Sequence, residues 1–179
     1  MRKYLLLLAM LVSLNQLMAQ SFPGTGPVEL TNTNGVTQRL HILSGSGATR
    51  TLLAADTGSL VLLDRAAGIV FTLPAPATGL YFDFVVTTSV TTNAYKFSTA
   101  TQGTDFFRGP LISDDTDTSD ALVGFPCNGT THDNISMNGS TTGGLVGTHV
   151  RVIGISTTVW QVQGVINGNS TVATSCSTS

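Results

Sequence analysis

Apolar residues in this chain come in short runs. Between Gly47 and Val86 three follow one another, Leu60 to Leu63, Ile69 to Leu73 and Phe82 to Val86, each bounded by Gly or Pro and each too short for a helix with a buried face. That spacing predicts strands. Within Leu80 to Thr87 the alternation places Phe82, Phe84 and Val86 on one face and Tyr81, Asp83 and Val85 on the other. Pro74 and Pro76 close the run before it, because neither can donate to a ladder.

The pattern continues in both directions. Gln38 to Leu43 alternates as a first strand and Ser44-Gly45-Ser46-Gly47 breaks it; Thr51 to Leu53 is a second, followed by the turn Ala55-Asp56-Thr57-Gly58. Further strands are expected at Ala94 to Thr99, at Phe106-Phe107 and Leu111-Ile112 on either side of a Gly109-Pro110 break, at Ala121 to Phe125 and at Ile135 to Met137. Asp114 to Asp120 reads as a polar loop, and Asn-Gly turns stand at Asn128 and Asn138. The clearest hairpin has arms His149 to Ile155 and Val159 to Ile166 around Ser156-Thr157-Thr158. Its second arm puts Trp160, Val162, Gly164 and Ile166 on one face and Gln161 and Gln163 on the other. About ten to twelve short strands predict an all-β domain, an antiparallel β-sandwich or a jelly-roll-like barrel. No repeat of about 20 to 50 residues is visible, so a propeller or solenoid is not expected.

Composition supports the same class. The chain has 28 threonines, and only 10% of its residues are charged. Threonine is β-branched yet keeps a hydroxyl for water, which suits the solvent face of a strand. The recurring Val, Ile, Leu and Phe supply a core, which sets the chain apart from Thr/Ser/Gly-rich disorder.

The first residues read differently. Met1-Arg2-Lys3, the uncharged run Tyr4 to Val12 and Leu17-Met18-Ala19-Gln20 have the layout of a secretory signal peptide, with cleavage expected after Ala19. The apolar run is shorter than the ~20 residues a bilayer span needs, so no permanent membrane anchor is expected. No Cys follows the cut directly to carry a lipid. The expected organisation is a signal peptide at 1–19, an extended Pro/Gly-rich arm or linker at 20–37, read either as lying on a neighbouring subunit or as a frayed terminus, and a single β domain at 38–179. Six basic residues then face ten acidic ones, a net charge near −4. With Lys96 the one lysine left, there is no electrostatic footprint for nucleic acid or anionic lipid.

Candidate chemistry is sparse. Cys127 and Cys176 are the two cysteines. In an exported chain they are expected to form one disulfide, with two free thiols as the alternative; no CxxC spacing points to zinc. Asp115, Asp117 and Ser119 alternate like calcium-loop oxygen ligands, but Asp120 stands where the turn glycine belongs and no Glu closes the loop, so a solvated acidic loop is the competing reading. His132-Asp133 has the residue types of an acid-base pair without a nucleophile elbow, since Ser46 lies in SGSG. His41, His132 and His149 are scattered, and Glu29 is the one glutamate, which leaves no glycosidase-type carboxylate pair. Sequons start at Asn128, Asn134, Asn138 and Asn169, and turn chemistry accounts for them without glycans. No catalytic residue and no cofactor is assigned.

One stretch carries a resemblance. Thr51-Leu52-Leu53-Ala54-Ala55-Asp56-Thr57-Gly58, then Leu63-Asp64-Arg65-Ala66-Ala67-Gly68 and Phe71-Thr72-Leu73-Pro74-Ala75-Pro76 with Gly79, resembles a segment of small structural proteins of tailed bacteriophages, especially marine ones. Asn128-Gly129-Thr130-Thr131-His132, Ser136-Met137-Asn138-Gly139 and Thr141-Thr142-Gly143-Gly144-Leu145 fit the same likeness, which covers roughly residues 47 to 175. It implies a β-rich virion component such as a head decoration protein that sits on a capsid shell as an oligomer. Combined with an export signal, the expectation is a non-enzymatic structural subunit of a virion or extracellular assembly, a homo-oligomer such as a trimer or filament, secreted or on a virion surface. The alternative is a secreted carbohydrate- or receptor-binding β-sandwich module, for which one Trp and three Tyr leave few aromatics to display.

Overall fold

The computed structural model describes residues 42–44, 47–116, 122–169 and 171–179. The expected signal peptide and arm, most of the strand expected at Gln38 to Leu43, His41, Ser46, Asp117 and Ser119 lie outside the described residues.

Among the described residues twelve strands follow in chain order: β1 (Ile42–Ser44), β2 (Thr49–Thr51), β3 (Ser59–Leu63), β4 (Ile69–Thr72), β5 (Tyr81–Val86), β6 (Tyr95–Ser98), β7 (Phe106–Asp115), β8 (Val123–Asn128), β9 (Asn134–Met137), β10 (His149–Gly154), β11 (Val159–Gly168) and β12 (Cys176–Ser177). They form a seven-stranded sheet, β1-β3-β5-β10-β11-β7-β8, and a five-stranded sheet, β12-β9-β6-β4-β2. The expected turn after Leu53 is a short 3-10 turn, Ala54–Asp56, in which the Asp56 carboxylate accepts the Leu53 amide at 2.9 Å.

The two sheets pack as an all-β sandwich around one apolar core. Alternation decides which residues enter it. Val61 and Leu63 of β3, Phe82, Phe84 and Val86 of β5, Val150 and Val152 of β10 and Trp160, Val162 and Ile166 of β11 are buried from one side. Ile69, Phe71, Tyr95, Phe97, Ile135 and Met137 are buried from the other. Aromatic rings join the layers: Phe84 of β5 lies 4.2 Å from Phe97 of β6 and 5.7 Å from Phe71 of β4, between ring centroids.

The pairing is mixed, not purely antiparallel. β1, β3 and β5 run parallel in one sheet, and β2, β4 and β6 run parallel in the other. From β1 to β6 the chain therefore crosses between sheets at every step and winds as a short two-layer coil. This parallel winding departs from the antiparallel pairing expected for the sandwich. The strands start at Ile42, Ser59 and Tyr81 in one layer and at Thr49, Ile69 and Tyr95 in the other, unequal steps that agree with the lack of a fixed repeat in the sequence. Beyond β6, antiparallel pairing dominates: β10 pairs with both β5 and β11 antiparallel, while β11 and β7 are parallel.

The Gly109-Pro110 break is a second correction, since β7 runs unbroken through it. Pro110 pairs with Pro126 of β8. Neither residue can donate, so this must be a pair that exchanges no hydrogen bonds, and the donor Pro110 lacks falls on the β11 side. There the ladder skips Gly109 and Pro110 between Gln161↔Arg108 and Gly164↔Leu111. Gly109 has φ 138°, and a Cβ on it would lie 2.1 Å from the Val162 carbonyl oxygen, so only glycine lets β11 approach here.

Candidate functional site on the outer face of the seven-stranded sheet

The outward positions of the seven-stranded sheet line up in rows across the strands. One row is Leu62 of β3, Val85 of β5, His149 of β10, Val165 of β11 and Ile112 of β7. Four of these five are aliphatic, and Val165 and Ile112 are 44% and 42% exposed. The next row is Leu60, Asp83, Arg151 and Gln163; the third is Tyr81, Ile153, Gln161 and Arg108.

The charges at the centre of this face are spent on one another. The Asp83 carboxylate accepts Arg151 Nε at 2.7 Å and Nη2 at 2.6 Å, a bidentate pair, and Oδ1 lies 3.1 Å from His149 Nε2. The Arg151 guanidinium stands 5.8 Å from the Tyr81 ring centroid. The hydrogen bond from Arg151 holds the Asp83 pKa below the ordinary carboxylate value, and Asp83 in turn raises that of Arg151. The cluster reads as a neutralised pair that fixes β5 to β10.

The outer face of the five-stranded sheet differs. Thr51, Thr72, Ser98, Asn134 and Ser177 form one row across it and Thr49, Val70, Lys96 and Ser136 another. Hydroxyls dominate there, with Ser98 and Asn134 buried, so of the two described outer faces only that of the seven-stranded sheet carries an aliphatic row, exposed at Val165 and Ile112 and half-buried at Leu62 and Val85.

The residues singled out in the sequence fall in separate places. Cys127 of β8 and Cys176 of β12 are joined as the expected disulfide, which connects the edge strand of one sheet to that of the other. Asp115 closes β7 opposite Gly168, and its two partners in the calcium reading lie outside the described residues. His132 and Asp133 do not act on each other: His132 Nδ1 accepts the Asn128 amide at 3.2 Å. Asp133 is fully buried and accepts from the Gly103 amide, Asn134 Nδ2 and both the amide and hydroxyl of Ser179. Asn128 and Asn138 each fold a turn, their side-chain oxygens accepting Thr130, Thr131 and His132 amides in one and Ser140 and Thr142 amides in the other. In both the side-chain amide donates to a threonine, Thr131 or Thr141.

No family model, no curated protein and no solved structure matches this chain. The reading of the site therefore rests on its geometry. Sequence reasoning missed the Asp83, Arg151 and His149 cluster. Alternation had placed Asp83 on the face opposite Phe82 and Phe84, but nothing local says that β5 and β10 are neighbours.

Proposed function

We propose that the domain is a non-enzymatic structural subunit of a virion or extracellular assembly, and that copies associate through the outer face of the seven-stranded sheet. The aliphatic row Leu62, Val85, Val165 and Ile112, beside an internally neutralised ion pair, carries this reading. Such a face packs at a lower desolvation cost than one whose central charges are unpaired.

The sheet edges support association by face rather than by strand addition. β1 and β2 have three residues each and β12 has two, while β8 carries Pro126. Short edge strands and an edge proline are the usual devices that block edge-to-edge pairing. The resemblance to phage structural proteins agrees with an assembly role. An exported location agrees with the disulfide; among the described residues no helix is long and apolar enough to cross a membrane. A carbohydrate-binding platform is less well supported, since Trp160 and Tyr95 are buried and Tyr81, Phe106 and Phe125 are half-buried.

Sedimentation equilibrium of the protein from Gln20 onward tests the proposal. Wild type is expected to be a trimer or larger, and Val165→Lys with Ile112→Lys is expected to be monomeric with an unchanged β-sheet circular dichroism spectrum, losing only the stability that association contributes. A wild-type monomer at every concentration, or an oligomer that ignores both lysines, would reject it. Electron microscopy of the wild-type material should show discrete particles or filaments.

A further inference from the structure

We propose that, once reduced, Cys127, Cys176 and His132 form a zinc site that the disulfide keeps closed. The Asx turn at Asn128 folds the chain back so that His132, five positions after Cys127, returns to it, and β12 brings Cys176 from the edge of the other sheet. The ligand atoms of the three residues lie within 4.8 Å of one another. Both cysteines are buried and His132 is half-buried, so the cluster is shielded yet has one open side.

The distances suit the ion. Zinc takes thiolate at about 2.3 Å and imidazole at about 2.0 Å, so two sulfurs on a tetrahedral centre stand about 3.8 Å apart. The Cys127 and Cys176 Cα atoms are 5.5 Å apart, and side-chain rotation about fixed backbones can open the sulfurs to that separation. The chemistry balances: a dithiol reductant gives two electrons and two protons to the disulfide, leaving two thiols and its own oxidised cyclic disulfide. Each thiol then releases its proton as its sulfur binds the metal. Neutral His132 has one ring lone pair, which now accepts the Asn128 amide, and the metal takes that lone pair over. A water completes four-coordination, since three protein ligands are present.

Cobalt serves as the zinc probe. The full protein is reduced with dithiothreitol, freed of reductant without oxygen and titrated with Co²⁺, with near-ultraviolet circular dichroism of Trp160 reporting the fold. Reduced wild type should give thiolate-to-cobalt charge-transfer absorption that zinc abolishes, and oxidised protein none. His132→Ala should weaken binding by more than about tenfold, at least the loss that removal of an outer-shell partner causes. Absence of the band in reduced wild type, an equal affinity in His132→Ala, or a reduced protein whose Trp160 signal is lost and not restored by the metal would each overturn the site.

Discussion

Trp160 sits on β11 opposite Gly154 of β10, fully buried, with its ring centroid 6.0 Å from that of Phe82. Gly154 leaves room on the inner face, and a Cβ there would also meet the Ala77 carbonyl oxygen at 2.1 Å. Trp160→Ala should therefore cost about 3 to 5 kcal/mol, because the indole fills the space between strands that cannot collapse into it. Gln161 and Gln163 face outward and are exposed, so Gln161→Ala and Gln163→Ala should change stability by less than about 0.5 kcal/mol. Denaturant melts of the three variants decide it, and equal losses at 160 and 161 would contradict the register. A second residue-scale prediction concerns Asp133. Burial alone would raise its pKa, but the hydrogen bonds from Ser179 and Gly103 outweigh burial and hold it below the ordinary value. In the unfolded chain it returns to about 3.9, so its contribution is complete above that pH and is lost as the pH falls through the lower folded value. Asp133→Asn should lower the urea midpoint at neutral pH and flatten its decline towards about pH 3; a parallel decline in both proteins would assign the acid sensitivity elsewhere.

Strands β8 and β12 show how two weak elements are held. β12 has two residues, and β8 is an edge strand in which Cys127 alone is fully buried. The disulfide joins them across a sequence separation of 49 and closes the sandwich at that edge. By loop-closure entropy such a link is worth roughly 4 kcal/mol. Replacing both cysteines by serine should lower stability by about 2 to 5 kcal/mol while leaving the β-sheet circular dichroism intact. Native-state hydrogen exchange should accelerate first in β12 and β9, and an unchanged exchange pattern would mean that the link is not what anchors the tail. Much at this scale was legible in advance: the faces of β5 and β11 and the hairpin at Ser156 follow from period-two alternation. β7 was not legible, because a Gly-Pro pair ends a strand in most settings and here is absorbed by a proline facing it on β8.

At the scale of the whole molecule, residues 40–179 form one compact unit, and the buried core is drawn from strands spread along that length. Deleting residues 1–39 should accordingly leave the unfolding free energy of the remaining unit unchanged within about 0.5 kcal/mol. A larger loss would show that the preceding segment contributes to the core. If the segment acts as an arm on a neighbouring copy, the same deletion should lower the oligomer mass without altering the fold, which sedimentation would detect.

The amino-acid order by itself determined the class, the inward and outward residues of most strands, and the turn positions, because each depends on neighbours one to four residues away. It also named the cysteines that pair. Only the tertiary structure decided which strands lie side by side and in which direction, since an alternating strand presents the same two faces to a parallel or an antiparallel partner. That decision sets Leu62, Val85, Val165 and Ile112 in one row across the sheet, with His149 between Val85 and Val165. It also brings Asp83 against Arg151, 68 residues away, and gathers Cys127, His132 and Cys176 at the closed edge of the sandwich.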